Sequence, residues 1–114
     1  SYRRGSLTGL DIVFDCRFLK NPNWVSGLKD LNGTDNEVKD FLHKDKSWPP
    51  FRKNLVQMFA TIIPAFEREG KSYLSIGFGC TGGQHRSVFV AEQLHEHLLD
   101  MKNDVKILHT SLQK

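Results

Sequence analysis

The sequence predicts a small single-domain α/β sandwich, with a parallel or mixed sheet of roughly three or more strands flanked by helices. Three observations predict it. Residues 11–18 (DIVFDCRF) alternate apolar and polar with period two. Phe51, Leu55, Met58, Phe59, Ile62 and Phe66 recur at helical spacing. A second apolar run, residues 72–78 (SYLSIGF), is followed by a Gly-rich turn and then by a new helical pattern.

Taken in order, residues 1–10 are polar and contain Gly, the composition of a linker. In the first strand Ile12, Phe14, Cys16 and Phe18 face one way, and Val13, Asp15 and Arg17 the other. Residues 19–33 are rich in Asn and Gly and form a loop. Thr34 with Glu37 makes a capping box for a short helix ending near Lys44. Pro49 and Pro50 suit the first turn of a second helix, which Pro64 should kink or divide and Gly70 should end. Leu74, Ile76 and Phe78 share a face of the second strand. A helix starting near Arg86 buries Val88, Ala91, Leu94 and Leu98, and residues 104–109 (DVKILH) read as a third strand.

Composition narrows the function. A chain of 114 residues fits one domain, and 39% hydrophobic residues with eight Phe supply a core. No apolar stretch approaches the ~20 residues that cross a bilayer, and no segment reads as a signal peptide. Sixteen Lys and Arg against thirteen Asp and Glu leave +3, which permits an anionic partner without demanding one. Two Cys make no disulfide framework, so a reducing cytoplasm is the expected setting.

The chemistry concentrates in Gly79-Cys80-Thr81-Gly82-Gly83-Gln84-His85-Arg86-Ser87. Three Gly let backbone amides converge, and the helix start adds unpaired N–H groups and the positive end of its dipole. Arg86 offers a two-pronged donor to phosphate, with Thr81, His85 and Ser87 as further donors. The bland reading is a tight turn without a ligand. The same stretch fits Cys-x-x-Gly-x-x-Arg-Ser, the loop of cysteine-dependent phosphatases, with Cys80 as nucleophile and Arg86 beside it. It has Gly79 where such enzymes usually place His, and no general-acid Asp stands out.

Asp15 and Arg17 lie at the carboxyl end of the first strand, the edge where α/β sheets gather ligands. Asp15 could accept from a sugar hydroxyl or orient Arg86; a local surface ion pair is the competing reading. Cys16 faces the core. Residues 65–72 (AFEREGKS) match a relaxed nucleotide P-loop, but they close a helix and enter a strand, the reverse of a working P-loop. His95 and His97 point different ways on their helix, so no metal site is expected. Trp24 and Trp48 read as hydrophobic lids over neighbouring loops.

DCRFLKNPNW (15–24), residues 31–35 (LNGTD) and KSYLSIGFGCTGGQHRSVFVAEQL (71–94) resemble the C-terminal domain of the RapZ/YvcJ family, bacterial RNase adapters and nucleotide-binding proteins. The resemblance implies a domain over residues 11–114, with residues 1–10 leading from an N-terminal P-loop domain where ATP and GTP would bind. It implies no cofactor in this domain. It further implies that Asp15, Cys80, Thr81, Gly82, Gly83, His85 and Arg86 line a pocket for a phosphorylated amino sugar, glucosamine 6-phosphate in enterobacterial members; Arg17 lies in the same matching segment, and with Ser87 these make the expected ligand-binding set. Small regulatory RNA and an endoribonuclease would be partners, in control of amino-sugar metabolism, and the full-length protein a homo-oligomer. Two departures stand out: the family's NPHW is NPNW here, with Asn23 in place of His, and the chain ends HTSLQK rather than in a basic cluster.

Overall fold

The computed structural model of the chain describes residues 10–71, 74–81 and 84–100. Its elements run β1 (Ile12–Asp15), a 3-10 turn (Pro22–Trp24), α1 (Asn36–His43), α2 (Trp48–Arg68), β2 (Ile76–Gly79) and α3 (Arg86–Asp100). The strands pair in parallel, with Ile12 opposite Ile76 and Asp15 opposite Gly79. Parallel pairing needs a long crossover, which α1 and α2 supply. The fold is the expected α/β class with two strands among the described residues. Residues 1–9 of the anticipated linker (1–10) and the anticipated third strand (104–109) lie outside them.

The first strand is shorter than its alternation suggests. The chain leaves extended geometry after Asp15 and turns at Arg17–Phe18. Phe18 is therefore not a core residue: it is 47% exposed, its ring edge against Phe51 at 4.8 Å. Cys16 is fully buried, as its apolar position predicts.

The cap of α1 also differs from the expected box. Asp35, not Thr34, is the N-cap, without a side-chain hydrogen bond to the helix. The Asp35 carboxylate instead accepts from Asn32 N–H at 2.8 Å, and the Asn32 side chain accepts from Thr34 N–H at 2.8 Å. These short polar side chains build the turn before the helix rather than the helix end itself.

Helix α2 starts at Trp48 with Pro49 and Pro50 in its first turn and continues through Pro64 to Arg68, so Pro64 does not divide it. Gly70 then takes φ +83°. Gly70 N–H donates to Glu67 O and Lys71 N–H to Phe66 O, both at 3.0 Å, which closes the helix in a Schellman motif. The relaxed P-loop match therefore spans a helix C-terminus, where carbonyls rather than amides project.

Leu55 and Phe59 of α2, Val38 and Leu42 of α1, and Phe89, Val90, Leu94 and Leu98 of α3 form the core with Cys16 and Leu19. Trp48 belongs to this core, 4.7 Å from the Phe89 ring, whereas Trp24 is 83% exposed. Phe14 and Phe78 stack at 5.4 Å on the sheet face toward α2. Asp45 is buried and accepts from Lys20 N–H at 2.7 Å and Ser47 N–H at 2.8 Å, tying the loop after β1 to the start of α2.

An acid-labile clasp holds the entrance to both strands. Asp11 accepts from Ser75 N–H at 2.9 Å and pairs with Lys71 at 3.1 Å. The Ser75 amide, then Lys71, hold the Asp11 carboxyl below its usual range. A carboxyl depressed in the folded state stabilises it above the unfolded pKa, and this is lost as pH falls through the folded value. Asp11→Asn is expected to flatten the acid limb of a melting-temperature profile while leaving the neutral and alkaline limbs parallel to wild type. An unchanged acid limb would remove Asp11 from the account.

Candidate functional site

Both strands end at one edge: Asp15 and Gly79 are paired residues, and the chain beyond each enters a loop. The candidate site lies there, between the loop after β1 and the first turn of α3. Thr81 is half-buried at this edge and Ser87 is buried. Gly82 and Gly83 lie outside the described residues.

Three consecutive residues at the start of α3 reach back to the loop that follows β1. Gln84 Nε2 donates to Lys29 O and Leu31 O, each at 2.7 Å. His85 Nε2 lies 3.0 Å from Leu28 O, a contact that requires the proton on that nitrogen. Arg86 Nη1 donates to Arg17 O at 3.0 Å and Leu19 O at 3.1 Å. Gly33 N–H completes the seam by donating to Gln84 O at 2.9 Å. His85 and Arg86 are each 5% exposed, so their hydrogen bonds carry the weight of buried polar groups.

The backbone approach behind this seam demands Gly33. A Cβ there would lie 2.4 Å from His85 O, 2.5 Å from Phe89 N and 2.9 Å from Val88 Cβ. Sequence reasoning missed Gly33, Gln84 and Asp45. The Asn32-Gly33 dipeptide signals a turn but says nothing of a helix that begins 53 positions after Gly33.

The expected residues divide into three groups. Arg86 and His85 belong to the seam, beside the unexpected Gln84. Asp15 and Arg17 form an exposed local ion pair: Arg17 Nε lies 2.8 and 2.9 Å from the two Asp15 oxygens, and Arg17 N–H also donates to Asp15 Oδ1. Asp15 thus orients Arg17, and no direct pair with Arg86 forms. Between described residues the ion pairs are Arg17–Asp15 and Lys71–Asp11, so the buried Arg86 guanidinium has no carboxylate partner among them.

The third group is the thiol. Ser87 N–H donates to Cys80 Sγ at 3.3 Å, and Ser87 Oγ lies 3.2 Å from the same sulfur. The thiol is 1% exposed. The helical ladder of α3 begins with Phe89 N–H to His85 O, so Arg86 and Val88 amides lack carbonyl partners within the helix. Cys16 sits beside this group. Its thiol is pushed up to about 12 by burial first, then by the neighbouring Cys80 and Asp15, while Arg86 and a backbone hydrogen bond from Gly79 pull it down.

Among the described residues no group of three His, Cys, Asp or Glu could hold a metal, and no helix is long and apolar enough to cross a membrane. His97 Nε2 is buried without a hydrogen-bond partner among the described residues.

Over its whole length the chain is 47% identical to a nucleotide-binding protein of Cereibacter sphaeroides, of which it covers 38%. It is 44% identical to one of Ruegeria pomeroyi, covering 40%, and 46% identical to one of Dinoroseobacter shibae, covering 38%. The chain therefore spans about two-fifths of the length of these relatives. The sequence model of the RapZ C-terminal domain matches residues 1–113, and the chain belongs to that family.

Proposed function

We propose that this domain is a sensor that binds a phosphorylated amino sugar, or an anion like it, at the carboxyl edge of the two strands. One observation carries the reading: a buried guanidinium, without a carboxylate partner among the described residues, lies at the positive end of α3. A desolvated cation is costly unless an opposite charge approaches it, and a helix N-terminus adds to the same field. Arg86 Nη1 is engaged with two carbonyls. It acts on a phosphate through its charge and by holding the loop, while Thr81 and the first amides of α3 meet the oxygens. Asp15 and Arg17, half-exposed at the mouth, discriminate the sugar: the carboxylate suits an ammonium or hydroxyl.

In this reading small regulatory RNA and an endoribonuclease are the downstream partners, amino-sugar metabolism is the process controlled, and the full-length protein is a cytoplasmic homo-oligomer. ATP and GTP belong to other parts of such a protein, consistent with relatives named as nucleotide-binding proteins over lengths that this chain only partly covers.

NMR titration with inorganic phosphate and with glucosamine 6-phosphate tests the proposal. Both probes are expected to shift the Thr81, Arg86 and Val88 amides. Asp15→Asn is expected to weaken glucosamine 6-phosphate by about tenfold, the equivalent of one charge-assisted hydrogen bond, and phosphate far less. Equal weakening of both probes would remove Asp15 as the sugar-reading group. Silence of all three amides would end the sensor reading.

The Ser87 contacts to Cys80 Sγ favour a second reading, a cysteine-dependent phosphatase with Cys80 and Arg86 as catalytic groups. Burial of the thiol opposes it, because attack on phosphorus needs an open line to sulfur. Turnover of a phosphomonoester that Cys80→Ser abolishes would establish the enzyme; retained binding without turnover supports the sensor.

A further inference from the structure

The two cysteines stand one residue past the ends of the neighbouring strands β1 and β2. Cys16 N–H donates to Gly79 O at 2.7 Å, continuing the rung that Ile12 N–H makes to Ser75 O at 3.1 Å. In a parallel ladder that donor position places Cys16 opposite Cys80, one step beyond the Asp15–Gly79 pair. Paired residues of parallel strands share a face. The preceding pair on this face shows it directly, with the Phe14 and Phe78 rings stacked at 5.4 Å and 16°. Adjacent strands lie ~4.8 Å apart, inside the ~4.4–6.8 Å that separates the Cα atoms of most disulfides. Both thiols are free.

We propose that Cys16 and Cys80 are a redox-active dithiol that closes into an intramolecular disulfide across β1 and β2. The two sulfurs have different chemistry. Cys80 Sγ accepts the Ser87 N–H in the first turn of α3, so its sulfur is the one that faces the positive end of the helix. Cys16 is held as the thiol by burial and by its neighbours. Cys80 is therefore the attacking sulfur and Cys16 the resolving one. Exposures of 0% and 1% exclude bulky disulfides, so the oxidant is a small peroxide. The Cys80 thiolate attacks one peroxide oxygen, the O–O bond breaks, and hydroxide leaves with Cys80 as the sulfenic acid. Cys16 sulfur then attacks Cys80 sulfur, the S–O bond breaks, and the sulfenic oxygen departs as water with the Cys16 proton. Two electrons pass from the sulfurs to the peroxide.

The test reads mass and does not depend on whether an anion binds. The full chain is treated with hydrogen peroxide, then denatured and alkylated with iodoacetamide. The expected product is monomeric, lighter than the reduced chain by two hydrogen atoms, unalkylated, and yields a peptide joining Cys16 to Cys80. In Cys16→Ser, the same treatment with dimedone present is expected to leave an adduct on Cys80. Full alkylation of both cysteines in the wild-type chain, a dimer joined between chains, or a dimedone adduct on wild-type Cys80 would each overturn the proposal.

Discussion

Gly33→Ala is expected to destabilise the domain by about 3 kcal/mol or more, toward the upper end of overpacking costs. The added methyl would meet His85 O and Phe89 N, both backbone atoms of the first turn of α3, which cannot rotate aside. Relief requires the 31–34 turn to back away from the helix. That movement lengthens Gly33 N–H to Gln84 O and draws the two Gln84 contacts with it. Chemical denaturation with an unchanged slope would register the loss as a lower midpoint. Gly27, at φ +87° with open space around its Cβ position, provides the contrast. Alanine there incurs only the left-handed backbone cost, about 1 kcal/mol. If the two variants lose equal stability, close approach at Gly33 is not what limits the fold.

Arg86→Leu ranks next, and its sign depends on two opposed quantities. Removing a desolvated cation returns a solvation cost of several kcal/mol when the ion has no partner. Against this, the carbonyls of Arg17 and Leu19 lose their common donor, at about 1–3 kcal/mol for each buried acceptor left unsatisfied. The loop they belong to also carries Leu19, fully inside the core. Nη1 is hydrogen-bonded to both carbonyls, so part of the solvation of the guanidinium is replaced, and the orphaned carbonyls prevail. A net loss of about 2 kcal/mol is expected, together with loss of detectable phosphate binding. Arg86→Lys is expected to retain some binding but not stability, because the shorter side chain keeps the charge without carrying a donor to where Nη1 meets both carbonyls. A Leu variant more stable than wild type would mean that the guanidinium is held for a ligand alone.

Legibility in the sequence followed the range of the interaction. Alternation in 12–16 and helical spacing in 51–66 are local signals, and they placed β1, α2 and the edge at which the strands end. Alternation ran on to Phe18 because nothing in a period-two pattern announces a turn that Arg86 pins from 69 positions away. The GCTGGQHRS stretch stood out as the candidate site by its composition, yet its residues carried two meanings. Gln84, His85 and Arg86 hold a loop through backbone carbonyls, and carbonyls are the one acceptor that sequence cannot distinguish. Asp45 was passed over for the same reason: its partners are the amides of Lys20 and Ser47. The Asp15–Arg17 pair was readable because its partners are two residues apart.

The parallel pairing of Ile12 with Ile76 has a consequence for how the chain acquires its shape. During synthesis the first strand emerges long before its neighbour and waits, one edge unsatisfied, while two helices form locally within the intervening stretch. Closing a loop of that length is an entropic search, and contacts so remote in sequence slow the crossing of the folding barrier. The late event is the arrival of the second strand, and every bond from the third helix to the early loop must follow it.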